Sequence, residues 1–125
     1  MNILLVDDSP TVRAIVRTFL MELRPSFLEA TDGERALRLI RLSPVDLVIA
    51  DVRMDPMDGI TFVRTLRQDE RPRIRDVPVV MLTGDRSEEI RKRGLEAGAN
   101  AFVTKPIDPR TLLETIGRVL PGARS

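Results

Sequence analysis

The chain has 125 residues, is 42% hydrophobic and carries a formal charge of +1, so it has the size of one domain and enough apolar side chains for one core. It contains no Cys and no His, which removes disulfide frameworks, thiolate nucleophiles, Cys-ligated zinc and imidazole general bases. Site chemistry is left to carboxylates, hydroxyls, Lys and Arg, and to hard cations held by oxygen, Mg²⁺ or Ca²⁺.

In chain order, the first apolar run is Ile3 to Val6. A well-signalled helix follows, with Ser9 as N-cap, Pro10 at the first helical position and an apolar stripe of Val12, Ile15, Val16, Phe19, Leu20 and Leu23, closed by Pro25. The second run, Phe27 to Ala30, is mixed in character and reads as near a sheet edge. The second helix starts at a capping box of Thr31 with Glu34 and presents Ala36, Leu37 and Ile40 before Ser43-Pro44.

The third and fourth runs, Leu47 to Ala50 and Val79 to Leu82, are apolar nearly throughout, as central parallel strands covered on both faces should be. Between them a third helix carries Ile60, Val63 and Leu66 after Asp58-Gly59, and Gln68 to Val77 reads as one extended loop. Asp85 or Ser87 caps the fourth helix, whose thin stripe of Ile90, Leu95 and Ala97 surrounds Arg91 to Arg93 and an interior Gly94; weak packing makes it the expected mobile helix. After the fifth run, Ala101 to Val103, the last helix has Asp108 as N-cap, Pro109, then Leu112, Leu113, Ile116, Val119 and Leu120, and ends at Pro121.

Five strands alternating with five helices predict an α/β fold, a doubly wound parallel sheet with right-handed crossovers, in which ligands bind beyond the carboxyl ends of the strands. The domain fills residues 1–121, with a C-terminal tail at 122–125. No apolar run approaches the roughly 20 residues of a membrane span and Met1 leads into no leader-like segment, so a soluble, cytoplasmic protein is expected. All basic residues except Lys92 and Lys105 are Arg, but acidic residues interleave with the clusters at Arg71, Arg73, Arg75 and at Arg91, Lys92, Arg93, and Phe is the only aromatic. These clusters read as solvated surface and not as a nucleic-acid interface.

The strand ends carry the chemistry. Asp7 and Asp8 end the first strand, Asp51 the third and Thr83 the fourth, and Lys105 follows the fifth, so all five reach one rim of the sheet. Three converging carboxylates repel unless a positive charge lies among them, and without His or Cys the natural solution is Mg²⁺. Adjacent strand residues face opposite ways, so Asp7 and Asp8 share the site only if the chain is already turning towards Ser9-Pro10.

Leu5-Val6-Asp7-Asp8, Asp51 with Met57-Asp58-Gly59, Leu82-Thr83-Gly84 and Phe102-Val103-Thr104-Lys105-Pro106 resemble the receiver domains of bacterial response regulators, over essentially the whole chain. The resemblance implies a flavodoxin-like sheet of order 2-1-3-4-5. It makes Asp51 the acceptor of a phosphoryl group from a histidine kinase, a phosphotransfer protein or a small acyl phosphate. Asp8, Asp51 and the backbone carbonyl of Arg53 would hold Mg²⁺ directly, and Asp7 mainly through water. It implies that Thr83 and Lys105 move towards the phosphorylated Asp51, that Phe102 turns as the switch, that the Lys105-Pro106 peptide is cis, and that an output protein reads the face of the fourth helix, fifth strand and last helix.

The chain departs from the family's usual Met-Pro after the acceptor with Met54-Asp55-Pro56-Met57, where Asp55 is expected in solvent. Arg53 and Asp85, two residues beyond Asp51 and Thr83, are expected to face each other across the mouth and slow attack by water. The competing functions are a Mg²⁺-dependent carboxylate-nucleophile phosphatase and a scaffold that never receives phosphate. The leading reading is no turnover enzyme but a switch that assists its own phosphorylation and dephosphorylation, stand-alone or cut from a larger protein.

Overall fold

Each apolar run becomes one strand of a parallel sheet: β1 (Asn2–Val6), β2 (Ser26–Ala30), β3 (Leu47–Asp51), β4 (Val79–Thr83) and β5 (Ala101–Thr104). The strand order is β2-β1-β3-β4-β5, the flavodoxin-like order, with mixed β2 at one edge and fully buried β3 and β4 inside. The structure is a computed structural model and describes residues 1–120; Pro121 and the expected tail at 122–125 lie outside the described residues.

Among the described residues six α-helices cover the sheet: α1 (Pro10–Phe19), α2 (Gly33–Leu42), α3 (Gly59–Arg67), α4 (Pro72–Arg75), α5 (Glu88–Ala97) and α6 (Pro109–Val119). Alternation along the strands sorts the core into two layers. Ile3, Leu5, Leu47, Ile49, Val80 and Leu82 pack with Val16, Leu20, Leu112 and Ile116 of the α1 and α6 side. Leu4, Val6, Val48, Ala50, Val79 and Met81 pack on the opposite face with Ile40, Phe62, Val63, Leu66 and Ile74.

Three expectations need correction. The stretch from Gln68 to Val77 is no plain loop: Pro72 starts the one-turn α4 and Ile74 is buried, and a four-residue helix is too short to show periodicity. The N-cap of α2 is Asp32, which accepts from the Glu34 and Arg35 amides, one residue beyond the Thr31 of the expected capping box. Ile15, Leu23 and Leu95, placed on apolar stripes, are 39%, 40% and 45% exposed. Of the two candidate caps for α5, Ser87 accepts from the Ile90 amide while Asp85 accepts from Ser87. Ser9 and Asp108 cap α1 and α6 as expected.

The Arg-rich stretch is exposed, yet it is bonded locally. Arg73 donates to the carbonyls of Ile40 and Arg41 at 2.8 and 2.9 Å, satisfying C-terminal carbonyls of α2 that have no helical partner. Half-buried Arg67 donates to the carbonyls of Gly98, Arg75 and Val77 and to Asn100 Oδ1, tying α3 to the end of α5 and the entry of β4.

Helices α3 and α5 pack together but unequally. Ile60, Phe62, Val63 and Leu66 of α3 are buried, whereas α5 buries only Gly94 and Ala97. Large apolar side chains contribute roughly 1.5–3 kcal/mol each when fully buried, so α5 gains far less from docking than α3.

Candidate functional site

Val6 is the last residue of β1, but the Asp7 amide still donates to the Ala30 carbonyl at 3.0 Å, so Asp7 keeps strand geometry and the chain bends at Asp8. Asp7 therefore continues the side-chain parity of Ile3 and Leu5, and on β3 Asp51 continues that of Leu47 and Ile49. The bend brings in Asp8. The three residues each offer a carboxylate oxygen within 4.8 Å of the others, with Asp7 and Asp51 buried and Asp8 exposed. Gly59 allows the start of α3 to lie against the end of β3: a Cβ there would stand 2.1 Å from the Asp51 carbonyl oxygen, and the Gly59 amide donates to the Val52 carbonyl.

Lys105 completes the group. Its Nζ lies 3.3 Å from Asp51 Oδ2 and 3.6 Å from Asp7 Oδ2, its amide donates to the Thr83 carbonyl, and the Lys105-Pro106 peptide is cis. The Asp55-Pro56 peptide is also cis, and Asp55 is exposed.

Thr83 is buried beside this group, with its hydroxyl bonded locally: it accepts from the Asp85 amide at 3.0 Å and donates to the Asp85 carbonyl at 3.2 Å. Asp85 Oδ1 accepts from Ser87, whose Oγ caps α5, so consecutive bonds run from Thr83 to the first turn of that helix. Arg53 Nη2 stands 3.3 Å from Asp85 Oδ2 across a cleft lined by Asp51, Arg53, Thr83, Gly84, Asp85, Arg86 and Lys105. Phe102 is half-buried, with its ring against Gly94 and the Arg91 guanidinium 5.8 Å from its centroid.

Burial and like charge dominate the electrostatics of the site. Burial pushes the Asp7 carboxyl above the ordinary range, the Ser9 amide offsets part of this, Asp51 and Asp8 raise it further and Lys105 lowers it. Asp7 Oδ2 is buried and accepts no hydrogen bond. An unsatisfied buried oxygen facing two more carboxylates fits a hard, oxygen-liganded divalent cation, since one ammonium cannot neutralise three carboxylates.

Three residues near this rim, Arg13, Arg17 and Glu29, escape sequence reasoning. Arg13, one turn into α1, donates to the Asp7 carbonyl at 2.5 Å and pairs with Glu29 of β2 at 2.9 Å; Arg17 joins Glu29 at 2.6 Å. The only sequence signal was a charge on the polar side of each element, which solvent explains equally well.

Comparison with known proteins agrees with this architecture. The response regulator receiver domain family matches residues 3–117. The chain is 34% identical over 120 residues to chemotaxis protein CheY-3 of Vibrio cholerae, covering 95% of this chain and 91% of that one. It is 38% identical to a probable transcriptional regulator, ycf27, of Guillardia theta, where the match covers 95% of this chain and 45% of the relative. Several curated relatives are thus much longer: the chain spans 13% of a gliding motility regulatory protein of Myxococcus xanthus.

Among solved structures, chemotaxis protein CheY4 of Vibrio cholerae superposes with a TM-score of 0.87 at 35% identity, covering 95% of this chain and 98% of that one. The receiver domain of a Pseudomonas aeruginosa sensor histidine kinase, solved with a magnesium ion coordinated in its active-site cleft, superposes with a TM-score of 0.84 at 29% identity, covering 94% and 95%. With the sheet order, the acidic rim and the match across residues 3–117 in agreement, this chain belongs to the response regulator receiver domains of two-component signalling.

Proposed function

We propose that this domain is a phosphorylation switch in which Asp51 takes a phosphoryl group from the phosphohistidine of a kinase or phosphotransfer protein, or from a small acyl phosphate, with Mg²⁺ held by Asp7, Asp8, Asp51 and the carbonyl of Arg53. The observation that carries this reading is the buried Asp7 Oδ2, which accepts no hydrogen bond and has only the Lys105 ammonium at 3.6 Å, beside two further carboxylates. When bound, Mg²⁺ supplies positive charge to the transferring phosphoryl oxygens.

The protein's own residues do the rest by position and charge. Asp51 is the nucleophile: its Oδ–P bond forms as the donor's P–N or P–O bond breaks, and a carboxylate needs no general base. Lys105, already 3.3 Å from Asp51 Oδ2, offsets charge on the arriving group. The Thr83 hydroxyl reaches a phosphoryl oxygen by giving up its bonds to Asp85, and this loosens the chain of bonds through Ser87 that caps α5. Thinly packed α5 responds, and Phe102 leaves Gly94, changing the α5, β5 and α6 face that an output protein reads. The Arg53–Asp85 pair across the mouth hinders water and prolongs the phosphorylated state.

The test is reaction with acetyl phosphate or phosphoramidate in Mg²⁺, followed by intact-mass analysis and by capture of partners with each form. One phosphoryl per chain, absent in Asp51→Asn, is the expected result. Sustained hydrolysis of phosphomonoesters would point to a phosphatase, and equal labelling of Asp51→Asn would overturn the assignment.

A further inference from the structure

Asp7 and Asp8 are neighbours in sequence, and on a continuing strand their side chains would leave opposite faces of the sheet. Their carboxylates nevertheless come within 4.8 Å of each other, which requires the peptide joining them to be held in a particular orientation. The Asp7 amide is fixed by the Ala30 carbonyl of β2, and one oxygen of the Asp7 side chain by the Ser9 amide. The peptide plane itself is held from the outside by Arg13, whose Nη1 donates to the Asp7 carbonyl.

Arg13 is itself positioned. Its side chain is 15% exposed, and its Nε is anchored by Glu29 Oε1, which also accepts from Arg17. Glu29 sits on β2 opposite Leu5, directly beside the strand that delivers Asp7. Two different nitrogens of one planar guanidinium thus connect the edge strand to the carbonyl of the Asp7–Asp8 peptide, a span that a single ammonium cannot reproduce.

We propose that Arg13, braced by Glu29, is a positioning residue for the metal site: it sets the Asp7–Asp8 peptide so that both carboxylates address the same ion. This rests on the reading of the acidic rim as a Mg²⁺ site. Its sign distinguishes it from simple electrostatics. Arg13 is a cation near a cation site, so charge alone makes its removal strengthen Mg²⁺ binding, whereas loss of positioning weakens it.

The experiment is titration of the unphosphorylated protein with Mg²⁺ alone by isothermal calorimetry, for wild type, Arg13→Met, Arg13→Lys and Glu29→Gln, with the melting temperature of each measured alongside. Arg13→Met and Arg13→Lys are expected to bind Mg²⁺ roughly tenfold more weakly, and Glu29→Gln less weakened but in the same direction. Labelling by acetyl phosphate should fall at low Mg²⁺ and recover at saturating Mg²⁺, because Arg13 touches no reacting atom. Arg13→Lys keeps the charge, so it remains informative if Arg13→Met unfolds. Unchanged or tighter binding by folded Arg13→Lys would overturn the positioning role while leaving the metal site standing; absence of Mg²⁺ binding by the wild type would overturn the metal site itself.

Discussion

The two sides of the rim are built differently. Around Asp7 and Asp51 the chain is held by buried strands, by the Ala30 and Ser9 bonds and by the Arg13–Glu29 brace, and Lys105 is already within ion-pair distance of both carboxylates. Around Thr83 the equivalent connection is a short series of local hydrogen bonds, part-buried at Thr83 and exposed from Asp85 onward, leading to a helix that buries only Gly94 and Ala97. The first side is pre-organised for binding charge, and the second is cheap to rearrange. A switch needs both, because a site that yields on binding wastes affinity and a surface that does not yield carries no signal.

The largest effect is expected at Asp7. A carboxyl whose pKa is raised in the folded state holds its proton more tightly there than in the unfolded chain. Its contribution therefore favours folding below the ordinary carboxylate value and is lost as pH climbs from that value through the raised one. Asp7→Asn removes this loss, so the metal-free variant should melt about 2–6 °C above wild type at neutral pH. The variant should bind Mg²⁺ roughly 10–100-fold more weakly, and at Mg²⁺ concentrations that saturate only the wild type the order of melting temperatures should reverse, since the wild type gains more stability from the ion. Scanning calorimetry with and without Mg²⁺ checks both halves.

On the yielding side, Gly94→Ala places a Cβ 2.2 Å from Phe102 Cζ, and the ring must move. Overpacking costs about 1–3 kcal/mol and the gain in helix propensity about 1 kcal/mol offsets part of it, so a modest net destabilisation is expected, seen as a lower urea midpoint. Displacement of Phe102 should appear in its ring NMR signals before any phosphorylation, while the Mg²⁺ dissociation constant stays at the wild-type value. A changed Mg²⁺ affinity would show that the two sides are not separable.

The smallest effect belongs to the pair that joins them. Arg53 is 76% exposed, and its contact with Asp85 is screened by solvent. Arg53→Ala should speed loss of the phosphoryl group by no more than about fivefold, followed as decay of the labelled protein after removal of the donor. An unchanged rate would remove the mouth pair from the account.

Much of this was legible in the residues, and the omissions have a common cause. The strands announce themselves as apolar runs between helix caps, and once the fold places their carboxyl ends together, Asp7, Asp8, Asp51, Thr83 and Lys105 fall on one rim without any contact being known. Arg13, Arg67 and Arg73 are illegible because most of their acceptors are main-chain carbonyls, which every residue possesses, and the side-chain partners Glu29 and Asn100 lie on other elements far along the chain. The α2 cap lies one residue beyond the expected Thr31 because Thr31 and Asp32 are both good N-caps, and only the backbone turn decides between them. Helix α4 leaves no signature in the sequence because one turn carries no period.

The most direct test of the central claim is a crystal structure of the protein with Mg²⁺ and beryllofluoride, a mimic of the bound phosphoryl group. One Mg²⁺ among Asp7, Asp8 and Asp51, beryllofluoride on an Asp51 oxygen, and the Thr83 hydroxyl withdrawn from Asp85 are expected. Mg²⁺ found away from these carboxylates, or beryllofluoride on any other residue, would contradict that claim.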